Sequence, residues 1–450
     1  MAPLGTFDTT QQPDILRQFQ CTAWAKGGAG VGSQGNNKFY IIKAWKRGDG
    51  YYNFRAEYGK VGQEGNPAVD EKAGVTLAWI EGKAHEKLYK KSPPYVEIDL
   101  HATTAPVALT LTDGSAPVTT THPKVSALVD WMFREAGEAI SKFLRGRVEK
   151  LSQSQIQRGR AALREIRDAH ARWKANPNKA NEEVLEQLVL GYFNLVPTVL
   201  PRNLDKSQVI QDFCNELGDH EDRLNQLEAA IATTAATNAG QTQYVALGAE
   251  IDLLPQTDNR YAKLVEYVQT RANHGYICKV KDIYMVRVPA ATAKWDACQR
   301  GKDNVKLLVH GSRNQNWRHI LKTGLRMPQF HNNGVANGTM FGAGIYFADQ
   351  PTKSGNYCGS GWQNVSGSTQ YALLLTDVAL GKSYTPRGSD SSLSLSKLQS
   401  LGGYDSVFAK GSTGQSYGVR GESGVLNNEF IIFDEGQHKP RFLVTWEKSY

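Results

Sequence analysis

Three short blocks constrain this chain more than any other feature: Leu307-Leu308-Val309-His310-Gly311-Ser312-Arg313, Gly344-Ile345-Tyr346-Phe347-Ala348-Asp349 and Asn428-Glu429-Phe430. Each sets a polar side chain against an apolar run of the kind that forms a buried strand. A fold that suits all three must gather strand ends from distant stretches of chain. The surrounding pattern agrees. Short runs at Ile283 to Val288, Val305 to Val309, Tyr371 to Val378, Phe430 to Phe433 and Phe442 to Trp446 are separated by Gly-rich loops, which predicts an α+β domain with a mostly antiparallel sheet from about Tyr244 onward. A doubly wound dinucleotide-binding sheet does not fit, because regular strand-helix alternation and an early Gly-x-Gly-x-x-Gly are both missing.

At 450 residues the chain is long enough for about three cores. Hydrophobic residues at 40% and charged residues at 21% describe a folded protein and exclude a disordered one. No apolar run approaches the roughly 20 residues of a membrane span, and Met1 to Thr10 lacks a basic-then-apolar signal pattern, so an intracellular protein is expected. The five cysteines, Cys21, Cys214, Cys278, Cys298 and Cys358, show neither a Cys-x-x-Cys pair nor zinc-ligand spacing with His, so neither disulfides nor a metal is expected. A net charge of +8 permits an anionic partner. The arginine-rich stretch from Lys142 to Lys174 reads most simply as the solvated face of a helix.

Two segments precede the strand-rich domain. Lys38 to Trp45 and Tyr51 to Tyr58, joined at Gly48-Asp49-Gly50, predict a hairpin. Ala73 to Leu88 then runs at helical spacing through Leu77, Ile80, Ala84 and Leu88, giving a small antiparallel sheet with one helix. Thr, Ala and Pro dominate from Ala102 to Pro123 and read as a linker. Helices follow over Val125 to Leu144, Ser152 to Trp173, Asn181 to Leu195 and Gln208 to Ala232, with Ser152 and Gln155 spaced as a capping box.

The blocks at 307–313, 320–326, 340–349, 353–358 and 428–430, matching in order, resemble the catalytic domain of the poly(ADP-ribose) polymerase family. The likeness extends upstream. Asn37-Lys38-Phe39-Tyr40, Lys60-Val61-Gly62 and Tyr95 to Asp99 resemble that family's WGR domain, with Tyr58-Gly59-Lys60 in place of Trp-Gly-Arg. Leu151 to Ile156 and Tyr192 to Pro197 resemble its helical regulatory domain. The organisation implied is a flexible segment over 1–30, a WGR domain over 31–101, a linker over 102–123, an all-α regulatory domain over 124–240 and an α+β ADP-ribosyltransferase domain over 244–450.

The resemblance implies NAD⁺ as co-substrate, with His310, Tyr346 and Glu429 as the catalytic triad. Gly311 and Ser354 would hold the nicotinamide amide, Tyr346 and Tyr357 would flank its ring, and His310 would bond the adenosine ribose. Ser312, Asn316 and Arg326 would meet the adenosine and diphosphate half, and Met340 and Lys353 would lie on the acceptor side. Asn427 and Thr339 stand where well-known members carry tyrosines. Tyr58, Lys60 and Lys43 are the expected DNA contacts. The activity implied is elongation of poly(ADP-ribose) on proteins, including the enzyme itself, switched on by DNA strand breaks. Transfer of a single unit and an inert DNA-bound scaffold are the alternatives. Such a protein would be a monomer away from DNA, in the nucleus of a eukaryote or the cytoplasm and nucleoid of a bacterium.

Overall fold

The computed structural model describes residues 13–21, 38–60, 67–90, 96–98, 122–144, 151–196, 198, 206–238, 240–270, 274–330, 339–360, 369–412 and 420–450. They fall into two compact units, one drawn from Met1–Thr110 and Ser141–Ile231, the other from Leu111–Ile140 and Ala232–Tyr450. Of the expected flexible segment over 1–30, Ile15–Cys21 instead forms a strand paired in a sheet, while the rest apart from 13 and 14, the glycines from Gly27 to Gly35, nearly all of the linker, and Arg145 and Arg147 lie outside the described residues.

The first unit holds a five-stranded antiparallel sheet. Its strands are β1 (Ile15–Cys21), β2 (Lys38–Lys46), β3 (Tyr52–Lys60), β4 (Ala68–Val75) and β5 (Val96–Ile98), in the order β4-β3-β2-β1-β5. β2 and β3 form the expected hairpin, closed where the Arg47 N–H donates to the Tyr51 carbonyl at 2.7 Å, with Gly50 at a φ of 84°. Phe19, Ile42, Ala44, Phe54 and Ala56 bury their side chains against Ile80 and Ala84 of the helix Leu77–His85. That helix starts later than its apolar spacing predicts. Ala73 to Val75 instead complete β4, whose Asp70, Glu71 and Lys72 face solvent as an edge strand tolerates. Thr76 then caps the helix by accepting the Trp79 N–H at 3.2 Å.

The helices Gln153–Ala175, Lys179–Leu195 and Lys206–Asn215 belong to the same unit, as does most of Leu217–Asn238. Ser152 and Gln155 form the capping box, with both reciprocal bonds made. The single run expected from Gln208 breaks at Glu216, and two helices result. Tyr192, Phe193, Phe213 and His220 cluster beneath them, with Phe213 and His220 stacked at 3.9 Å.

The second unit is built on two sheets. The larger runs β6-β7-β14-β10-β8, antiparallel throughout, from β6 (Glu250–Leu253), β7 (Ile277–Arg287), β8 (Val305–Gly311), β10 (Tyr371–Ala379) and β14 (His438–Ser449). The smaller runs β11-β12-β13-β9, from β9 (Ile345–Phe347), β11 (Ser383–Tyr384), β12 (Ser406–Ala409) and β13 (Glu429–Ile432). Central strand β10 is buried on both faces, which is why it reads as an unbroken apolar run. Ala372, Leu374 and Val378 point into one core with Leu308, Leu443 and Val125 to Met132 of the helix Pro123–Phe143. Tyr371, Leu373 and Leu375 point into the other with Val309, Val444 and Trp446. The mixed α+β architecture with mainly antiparallel sheets agrees with the sequence expectation.

Candidate active site

The candidate residues come together where the two sheets meet. A lone antiparallel bridge, Val309 to Ala348, stitches edge strand β8 to the end of β9. His310 and Tyr346 are thereby neighbours, and His310 Nδ1 lies 2.9 Å from the Tyr346 carbonyl oxygen. A carbonyl only accepts, so the imidazole carries its proton on Nδ1 and leaves Nε2 as an acceptor. Burial pushes the His310 pKa down and keeps the ring neutral.

Tyr346 pairs with Ile431 across β9 and β13, and Glu429 lies two residues before Ile431. Cross-strand partners share a face and so do residues two apart, so Tyr346 and Glu429 project together, within the roughly 7–8 Å of a diagonal pair. The Tyr346 hydroxyl accepts the Phe341 N–H at 3.0 Å and donates to the Gly342 carbonyl at 2.8 Å. Gly342 adopts a φ of 91°, and a Cβ there would lie 2.0 Å from the Leu393 carbonyl oxygen, so only glycine completes this anchor. Burial, joined by the negative charge of Glu429, pushes the Tyr346 hydroxyl far above its ordinary pKa.

Lys353 closes the polar end. Its Nζ lies 2.5 Å from Glu429 Oε1, and the two side chains are only 14% and 15% exposed. Burial pushes the Lys353 ammonium down, although Glu429 and Asp349 pull it up. Tyr357 stands 41% exposed just after the helix Pro351–Gly355.

Gly311 ends β8 against that helix. A Cβ at this position would meet the Ser354 carbonyl oxygen at 1.9 Å, so the two backbones touch only because residue 311 has no side chain. The buried Ser354 hydroxyl donates to the Val309 carbonyl at 3.0 Å, which leaves its lone pairs to accept from a ligand amide. Asn316 Nδ2 donates to Ser312 Oγ at 3.1 Å, holding the next loop. Arg326 is exposed; against the raising effect of burial, Lys294, the Met327 N–H and Arg326 together hold Glu435 below its ordinary value. Met340 packs half-buried beside Phe341, and its carbonyl accepts the Asp390 N–H at 2.9 Å.

Tyr58 and Lys43 lie in the other unit. Tyr58 is 40% exposed and stacks on Tyr40 at 5.8 Å, with Lys87 Nζ 3.8 Å from the Tyr40 ring centre. Lys43 is engaged by Glu57 at 2.8 Å. Lys60 ends β3 opposite Lys38, and its side chain lies outside the described residues.

Sequence reading missed the Lys353–Glu429 pair as a pair, and it missed the groups around it. Asn428 donates to Asp349 Oδ2 at 2.8 Å and accepts the Gly411 N–H at 2.9 Å. Both Asn428 and Asp349 stand in the motif blocks, so position beside a catalytic candidate was the available signal. His274, which bonds Thr352 and Asn427, offered none.

A neutral imidazole, a tethered phenol and a carboxylate beside a lysine thus stand on the edges of a split antiparallel sheet. Residues 258–448 match the family model described as the poly(ADP-ribose) polymerase catalytic domain. It is 28% identical over 319 residues to poly(ADP-ribose) polymerase 1 of Arabidopsis thaliana, covering 66% of this chain and 31% of that protein. Poly(ADP-ribose) polymerase of Drosophila melanogaster is 28% identical over 333 residues, covering 67% of this chain and 31% of the relative. Poly(ADP-ribose) polymerase 2 of Zea mays is 25% identical over 465 residues, covering 91% of this chain and 68% of its own length. The chain thus spans about a third of the first two relatives and about two thirds of the third. Among the described residues no helix is long and apolar enough to cross a membrane, and no cluster of His, Cys, Asp and Glu could hold a metal.

Proposed function

We propose that this chain cleaves NAD⁺, releases nicotinamide, and attaches and elongates poly(ADP-ribose) on proteins, itself included, when it meets broken DNA. The observation that carries the reading is the Glu429 carboxylate, held 2.5 Å from Lys353 on the face it shares with Tyr346.

Breaking the bond between ribose C1′ and the nicotinamide nitrogen sends the bonding pair to the leaving group and leaves an oxocarbenium-like sugar, the charge problem glycosidases meet with a carboxylate. A carboxylate about 4 Å away at an effective dielectric near 20 lowers the barrier by about 4 kcal/mol, roughly a thousandfold. Lys353 beside Glu429 offsets part of that attraction, so the figure is an upper value. The acceptor hydroxyl then attacks C1′ and passes its proton to Glu429, which acts as general base.

The tyrosines orient the substrate. Nicotinamide is cationic before cleavage and neutral afterwards, so stacking on Tyr346 and Tyr357, worth roughly 0.5–2 kcal/mol, favours the ground state. Gly311 and Ser354 hold the carboxamide. His310 accepts from a ribose hydroxyl at Nε2, while Ser312, Asn316 and Arg326 meet the adenosine and diphosphate half. Lys353 and Met340 line the acceptor side, where a cation suits a phosphate.

DNA recognition belongs to the first unit's sheet. Lys38 and Lys60 stand directly opposite each other across β2 and β3. Like charges in that register destabilise a sheet unless an anion neutralises them, and a DNA phosphate would do so. Exposed Tyr58 beside them offers a ring to a terminal sugar or base. Lys43 is the weakest of the three expected contacts, because Glu57 already pairs with it. The 102–123 linker and a regulatory domain over 124–240 complete the proposed organisation, with residence in the nucleus or nucleoid.

The test is incubation of the purified chain with labelled NAD⁺, with and without a nicked or 5′-phosphorylated duplex. Protein-bound polymer that rises with broken DNA is expected. Equal rates would reject DNA gating, single attached units would replace polymerase with mono-transferase, and intact NAD⁺ would leave an inert scaffold.

A further inference from the structure

One imidazole outside the expected site touches the supports of both members of the Lys353–Glu429 pair. His274 Nδ1 lies 2.7 Å from Thr352 Oγ1, and its Nε2 lies 3.1 Å from Asn427 Nδ2. Thr352 immediately precedes Lys353, and Asn427 comes two residues before Glu429. Thr352 is fully buried and Asn427 nearly so, which fixes both partners.

The amide nitrogen of Asn427 can only donate, so Nε2 accepts and the ring proton sits on Nδ1, donated to the Thr352 hydroxyl. Both bonds are satisfied by the neutral ring. From this geometry we infer that His274 is a positioning residue: its neutral imidazole staples the segment bearing Lys353 to the segment bearing Glu429 and so sets their separation. The inference rests on the transferase reading above and names a residue that acts through the Glu429 carboxylate.

Protonation would undo the staple. A cationic ring has no acceptor for the Asn427 amide, which must turn to present its oxygen, and it places a second positive charge beside Lys353. Among the described residues, the ionisable groups facing His274 are Lys353, backed by Glu429, and the Tyr276 ring, whose centre lies 6.5 Å away. Burial and then Lys353 lower the His274 pKa, so the neutral form prevails near pH 7 and is lost as pH falls.

The experiment compares the full chain with His274→Ala and His274→Gln, measuring NAD⁺ affinity at equilibrium, kcat, KM and the pH profile of kcat. A positioning role predicts nearly unchanged NAD⁺ affinity and a roughly 10- to 100-fold fall in kcat for His274→Ala, the scale of a small misplacement of reacting groups. His274→Gln, whose amide can accept at Oε1 and donate at Nε2, should recover part of that loss and lack the wild-type fall in kcat at acid pH. Equal kcat in His274→Ala, a raised KM with kcat unchanged, or an acid limb that persists in His274→Gln would each overturn the inference. A wild-type chain that releases no nicotinamide would overturn the transferase reading itself, and the inference with it.

Discussion

His438 begins β14 with no solvent exposure, and its Nε2 accepts the Leu325 N–H at 3.1 Å. Burial, with His310 nearby, lowers its pKa from 6.5 to about 4. The unfolded chain takes up that proton near 6.5 and the folded chain only near 4, so acid favours unfolding across this window. The resulting loss of stability is about 3 kcal/mol between neutral pH and pH 4. Denaturant titrations across that range should show the slope, and His438→Gln should flatten it. A slope unchanged in the variant would assign the acid sensitivity elsewhere. The same scale explains why His274 was invisible in the sequence: its two bonds join residues 78 and 153 positions away, and no local spacing encodes them.

At the scale of elements, legibility follows burial. β10 and β14 announce themselves because both faces of the larger sheet are covered and their apolar runs are long. β4 does not, because its edge position exposes Asp70, Glu71 and Lys72 and leaves nothing periodic to read. β9 and β11 are only three and two residues long. The helix Gln153–Ala175 was predictable from its Ser152 cap, yet what fixes it to Leu217–Asn238 was not. Arg160, its side chain 9% exposed, donates to Glu228 at 2.7 Å and to Asn225 at 2.8 Å. Removing one partner of a largely buried charged network leaves the other unsatisfied, so Arg160→Ala should cost about 3 kcal/mol in chemical denaturation. A loss below about 1 kcal/mol would mean the pair behaves as a surface ion pair.

For the whole molecule, the order of the motif blocks carried the functional reading and the split sheet gives it a physical basis. The bridge from Val309 to Ala348 sets His310 beside Tyr346, and the β9–β13 register sets Tyr346 beside Glu429. What the blocks did not reveal is that Glu429 is already occupied by Lys353, because an ion pair between two motif residues leaves no trace in either motif. The central claim, that this carboxylate acts on a bound dinucleotide after binding is complete, is tested most directly by Glu429→Gln, which keeps the side chain's size and removes its charge. The measurement is NAD⁺ affinity at equilibrium together with the length of the labelled product. NAD⁺ binding close to that of the parent chain, with polymer formation nearly abolished, is the predicted result; polymer of unchanged length would contradict it.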